Sequence, residues 1–108
     1  MQKRFMLVET DCADPAREGE FNEWYNQIHL PDVLETPGVV RAERYEKIDP
    51  SEGQGKYLAA YEAEADDLQA VLKASDENMK KKAAEGRMSD LLKVTAVSTF
   101  GQIYSASE

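Results

Sequence analysis

Residues 20–45 read EFNEWYNQIHLPDVLETPGVVRAERY, and this stretch decides the fold. It holds the only tryptophan, Trp24, and the only histidine, His29. Phe21, Trp24 or Tyr25, and Ile28 recur at helical spacing, which predicts an amphipathic helix over 20–30. Pro31 is expected to stop that helix within about a turn of His29, because proline lacks the amide that the next turn requires. Pro37 and Gly38 then predict a turn, and from Val39 the periodicity changes to that of a strand over 39–48. Phe21, Trp24 and Ile28 are the expected buried anchors.

Working outward, residues 4–10 predict a first strand. Phe5, Leu7 and Glu9 fall on one face and Met6, Val8 and Thr10 on the other, so most of the strand is apolar on both sides. A polar loop covers 11–19. Beyond the second strand, 49–55 is rich in turn formers, and 56–63 predicts a third strand, making a hairpin with a long connection. A second helix is expected over 66–74, with Asp66 as N-cap and Gln69 completing a capping box. Ser75-Asp76 reads as a fresh cap for a separate polar helix over 77–84, with Met79 and Ala83 inward. Lys80, Lys81 and Lys82 read as its solvated face, and Gly86 as its end. The last strand is expected over 91–104, with Val94, Ala96, Ser98 and Phe100 alternating against Thr95, Val97 and Thr99; the terminal residues should fray.

The order is β-α-β-β-α-β, a ferredoxin-like α+β pattern: a four-stranded antiparallel sheet with both helices on one face. At 108 residues there is room for one core only, so 1–108 is expected to be a single domain. Two helices cover one face of such a sheet. A second copy packed sheet to sheet by two-fold symmetry is the simplest cover for the other.

The formal net charge of -8 argues against nucleic acid and against an anionic membrane surface. No run is long and apolar enough to span a bilayer, and no leader peptide is legible, so a cytoplasmic location is expected. Cys12, the only cysteine, has no partner for an internal disulfide and reads as an inert loop thiol.

With its His29-Leu30-Pro31 and Pro37-Gly38, the stretch Phe21 to Tyr45 resembles the dimeric α+β barrel superfamily and, within it, is most similar to the EthD-like branch. The resemblance in element order covers nearly the whole chain. It implies a homodimer with a pocket in each subunit between helices and sheet. The superfamily includes small-molecule isomerases, ring cyclases, cofactor-free monooxygenases and haem-active proteins. By position, only His29 and Pro31 carry over.

His29 has a reference pKa near neutrality and suits general acid or base work. It equally suits the negative end of a helix dipole, which needs no chemistry. Tyr25, four residues earlier, shares its side of the helix and is the candidate catalytic companion. Candidate substrate-contacting residues are Trp24, Arg44, Tyr45, Tyr57, Tyr61 and Ser98, with Glu9 and Thr99 also in reach; the strand parity that faces the helices is open at this stage. No zinc spacing, phosphate-binding glycine loop or serine elbow is present, so neither metal nor cofactor is expected. The leading expectation is a cofactor-independent enzyme of the isomerase, cyclase or lyase type acting on a small hydrophobic or aromatic carbonyl compound. A non-catalytic small-molecule-binding or accessory homodimer is the alternative. An oxygenase, cofactor-free or haem-linked, comes third.

Overall fold

The computed structural model describes residues 2–49 and 55–107. Most of the 49–55 connection lies outside the described residues. Four strands, β1 (Lys3–Cys12), β2 (Val39–Glu46), β3 (Tyr57–Glu64) and β4 (Leu92–Gly101), form one antiparallel sheet in the order β2-β3-β1-β4. This is the expected ferredoxin-like α+β architecture.

Strand parity is settled by burial. Tyr57, Ala59, Tyr61 and Ala63 of β3 are buried, and Met6 and Thr10 of β1 lie beside them. This is the face under the helices. The opposite face carries Leu7, Glu9, Leu58, Ser98 and Phe100, with no helix against it. In β4 the alternation differs from the expected one. Glu9 pairs with Ala96 but Thr10 pairs with Val94, so a bulge inserts one residue. An extra residue shifts the face of everything beyond it. Val94 and Val97 therefore both face the helices, and Ser98 faces away.

The first helix does not stop at Pro31. It runs as α1 (Glu18–Trp24), a π-helical turn (Tyr25–His29) and α2 (Leu30–Val33), preceded by a 3-10 turn over Pro15–Arg17. The Leu30 amide bonds the Tyr25 carbonyl, five residues back. Pro31 follows directly, so its missing amide falls where the π turn passes back into α-helix and the backbone ladder is already shifted. The wide turn also corrects the buried stripe. Residues four apart drift by about 40° per step around an α-helix of 3.6 residues per turn; a π turn takes much of that back. Phe21, Tyr25, His29 and Val33 thus stay on the buried side. Ile28 is half-buried and lines a shallow outer groove with Glu20, Glu23, Trp24 and Gln27.

The second helix is one piece, α3 (Leu68–Ala84), not two. Its N-cap is Asp67, whose backbone is extended and whose carboxylate accepts from the amides of Gln69 and Ala70. Asp76 does not break the helix because it pairs with Lys80 one turn on, at 3.0 Å. Lys82 is buried rather than solvated, its Nζ 2.8 Å from Glu35 Oε1, while Ala83 is exposed. Gly38 has φ +95°, and a Cβ there would meet Val71 Cγ2 at 3.0 Å, so the turn into β2 requires glycine. Beyond β4, Ile103 and Tyr104 extend fully exposed.

Candidate functional site

Beneath the first helix the space is divided. Under α1, Phe21 is fully buried and packs edge-on against Tyr25 with ring centroids 5.6 Å apart. Arg44 from β2 rises into this region, its guanidinium 4.2 Å from the Tyr25 ring centre and 5.0 Å from that of Tyr57. It donates to Asn26 Oδ1 at 2.9 Å and Asn22 Oδ1 at 3.0 Å, and Asn22 donates to the Tyr57 hydroxyl at 3.2 Å. This half is filled: Arg44, Asn22, Asn26 and Tyr57 bond one another, and the Arg44 Nε is buried without a hydrogen bond of its own.

Under the π turn and α2 the space is hollow. A cavity of about 310 Å³ lies between the helices and the sheet, at the low end of ligand-pocket sizes. Its wall is mostly apolar: Met6 and Val8 from β1, Val33, Leu72 and Met79 from the helices, and Val94 and Val97 from β4. The two valines are 50% and 64% exposed, so the cavity opens to solvent along β4. The polar groups on the wall are Tyr25, Tyr61, His29 and Ser75. Among the described residues, no lysine, arginine or carboxylate lines it.

The π turn aims His29 at this space. The imidazole is 6% exposed, stacked on Trp24 at 4.7 Å and 21°, and met edge-on by Tyr25 at 4.9 Å and 90°. Burial pushes its pKa down to about 4; the Asp32 carboxylate opposes this shift and Arg44 adds to it. The ring is therefore neutral near pH 7 and able to accept a proton. Tyr25 and Tyr61 have their hydroxyl oxygens 3.4 Å apart, and burial raises the pKa of both. They stay protonated, so they serve as hydrogen-bond donors and not as bases. In a pair of hydroxyls one proton bridges the two oxygens and the other remains to be offered to a ligand.

The candidates thus divide three ways. Tyr25, His29 and Tyr61 converge on the cavity. Trp24 backs the imidazole from behind, and Arg44 and Tyr57 belong to the filled half. Tyr45 and Ser98, with Glu9, lie on the other face of the sheet and share nothing with His29. Asp32 was not legible as part of the site. It is 3% exposed, three residues after His29, and held by Arg87 in a fork at 2.7 and 3.0 Å; that pairing keeps its carboxyl below the usual range. An acid one turn beyond the sole histidine is a usable signal, but its partner is 55 residues away. Among the described residues, no group of three or more His, Cys, Asp or Glu is placed to hold a metal ion.

No family model and no curated protein matches the chain. Solved structures do. An ethyl tert-butyl ether d (EthD) family protein from Bacillus halodurans is 18% identical, covering 95% of this chain and 100% of its own, with a TM-score of 0.55. SnoaB, a cofactor-independent oxygenase from Streptomyces nogalater, is 14% identical over 100% of both chains, with a TM-score of 0.63. A dimeric ferredoxin-like protein from an uncultured marine organism is 9% identical, covering 98% of this chain and 100% of its own, with a TM-score of 0.65. These likenesses show the fold, a ferredoxin-like α+β domain of the kind seen in an EthD family protein and in a dimeric ferredoxin-like protein.

Proposed function

We propose that the chain is a cofactor-independent enzyme that takes a proton from a small, uncharged, aromatic or carbonyl compound, with His29 as the base. One observation carries this reading: His29 and the tyrosyl pair converge on an apolar cavity whose wall, among the described residues, holds no charged side chain. A base whose pKa lies near 4 is a poor match for an unactivated carbon acid. It suits a substrate whose proton is already acidic, as in a conjugated enol or a polyphenol. Tyr25 or Tyr61 then donates a hydrogen bond to the oxygen that gains charge. The anion so formed can be reprotonated at another carbon, giving isomerisation, or its carbon can add to a carbonyl of the same molecule, closing a ring as the C=O π bond opens and the resulting alkoxide takes the proton back. The anion can equally be met by dioxygen. The oxygenase reading is favoured by the likeness to SnoaB, described as a cofactor-independent oxygenase.

Deuterium uptake from heavy water into a panel of neutral polyphenols and 1,3-diketones tests the shared first step without knowledge of the product. His29→Ala should slow exchange by about 10²–10⁴-fold, the worth of a positioned base. Exchange at the wild-type rate in that variant refutes the assignment. Oxygen consumption in the same samples separates the oxygenase from the isomerase.

We further infer a two-fold homodimer formed through the uncovered sheet face, where Leu7, Leu58 and Phe100 surround the Glu9–Lys47 ion pair. The dimeric ferredoxin-like neighbour supports it. The interface should exceed roughly 1,200 Å². Sedimentation as a monomer at micromolar concentration would exclude it.

A further inference from the structure

Arg87 stands in the turn after α3, directly behind Gly86, whose φ of +74° reverses the chain. Its guanidinium grips the Asp32 carboxylate, Nε to Oδ2 at 2.7 Å and Nη2 to Oδ1 at 3.0 Å. Its carbonyl accepts the indole N–H of Trp24 at 2.9 Å. Asp32 and Trp24 flank His29 along the first helix, and the Trp24 ring is the one stacked on the imidazole. The next residue, Met88, is part of the cavity wall. One residue from a distant turn therefore fastens both neighbours of His29 and carries a piece of the pocket.

We propose that Arg87 is the positioning residue for His29, acting as a strap that keeps the imidazole dry, stacked on Trp24 and turned to the cavity. This rests on the reading of His29 as the working group. A surface ion pair would contribute little, and Arg87 itself is 44% exposed at its side chain. Asp32, however, is buried, so losing Arg87 takes away the only cation bonded to its carboxylate among the described residues, leaves it to the longer-range pull of Lys82 on α3, and frees the turn. The charged and titratable groups around His29 are Asp32 and Tyr25 on its own helix, Arg44 from β2 and Tyr61 from β3. With the strap in place, burial outweighs Asp32. Without it, water enters and the unmasked Asp32 favours the imidazolium; both act in the same direction.

The chain supplies its own reporters, one histidine and one tryptophan. The single imidazole is titrated by NMR, and the single indole is followed by fluorescence, in the wild type, Arg87→Ala, Arg87→Lys and Trp24→Phe. In Arg87→Ala the His29 pKa should rise by about one unit or more as desolvation is relieved, with Trp emission shifted to the red. Arg87→Lys keeps the charge but not the fork and should fall between. An unchanged titration in folded Arg87→Ala overturns the proposal. So does a raised pKa with unchanged emission, which would mean that only the charge of Asp32 had been unmasked. Should Arg87→Ala fail to fold, Trp24→Phe keeps a ring but loses the bond to the Arg87 carbonyl. It must raise the His29 pKa by a smaller amount, and a wild-type titration there also overturns the strap. These readouts are independent of turnover. Wild-type exchange in His29→Ala removes the catalytic reading and leaves the strap standing, whereas an unchanged titration in Arg87→Ala does the reverse.

Discussion

The two halves of the space under the first helix are built from the same kinds of residue and behave oppositely. Under α1, aromatic rings enclose the Arg44 guanidinium, and two asparagines take its hydrogen bonds. Under the π turn, aromatic rings and a histidine border a void. What separates them is whether a long side chain rises from the strand below. On β2, Arg44 fills its half from beneath. On β1 and β4 the corresponding residues are Met6, Val8 and Val97, which line the hollow without filling it. A protein interior is normally packed to the density of an organic crystal. A hollow beside a buried imidazole, with a filled compartment adjoining it, is a departure from that density, and it is what the proposed function rests on. The helix widens into its π turn where the filled half gives way to the hollow one.

If this contrast is right, the filled half should be the more sensitive to truncation. Phe21→Ala removes a fully buried ring and should cost about 3–5 kcal/mol in denaturant-measured stability. A loss below about 1 kcal/mol would show that the filled half is as loosely packed as its neighbour.

The hollow half should reveal itself by acid sensitivity. His29 has a pKa near 4 in the folded chain against 6.5 for a free imidazole. Between these values the unfolded chain binds the extra proton, so stability falls as the pH falls. The contribution is complete above about pH 6.5 and is lost through about pH 4, on the order of 3 kcal/mol at 1.36 kcal/mol per unit. His29→Gln cannot titrate and should flatten that limb. Asp32, whose pKa is depressed, loses its own contribution at lower pH. Identical acid limbs in the two proteins would mean that the imidazole is wet.

The smallest effect is expected outside both halves. Ile28 is half-buried in the outer groove of the helix. Ile28→Ala should change stability by less than about 1 kcal/mol, near the range of surface substitutions. A loss of about 2–5 kcal/mol, as from a core isoleucine, would place the helix on the sheet in another rotation and dissolve the division into halves.

How much was legible follows from the range of each interaction. The strand at Val39 announces itself in a few alternating residues, and Pro37-Gly38 marks the turn before it by local geometry alone. The pairing of Tyr25 with His29 likewise follows from spacing along one helix. Tyr45 and Ser98 were misplaced for a different reason. Tyr45 lies on the side of β2 opposite Arg44, and nothing local to the strand shows which side the helices cover. Ser98 pairs with Leu7 on the uncovered face, and the bulge near Thr95 carries Val94 to the side of Val97; both follow only from the register with β1. Ile28 was misjudged because the π turn, which Pro31 helps to permit, rotates the buried stripe toward Tyr25 and His29.

From the sequence alone came the order of elements, the ferredoxin-like pattern, and the singling out of Tyr25 and His29 as neighbours on one helix. These rest on hydrophobic period and backbone chemistry, which act over a few residues. The tertiary structure alone decided that His29 is buried and neutral, that Tyr61 joins Tyr25, that Asp32 and Trp24 are held by Arg87, and which side chains wall the cavity. A void is set by which side chains fail to meet across the core, and a buried pKa by everything that excludes water from the group. Neither quantity is local, so no stretch of the chain carries it.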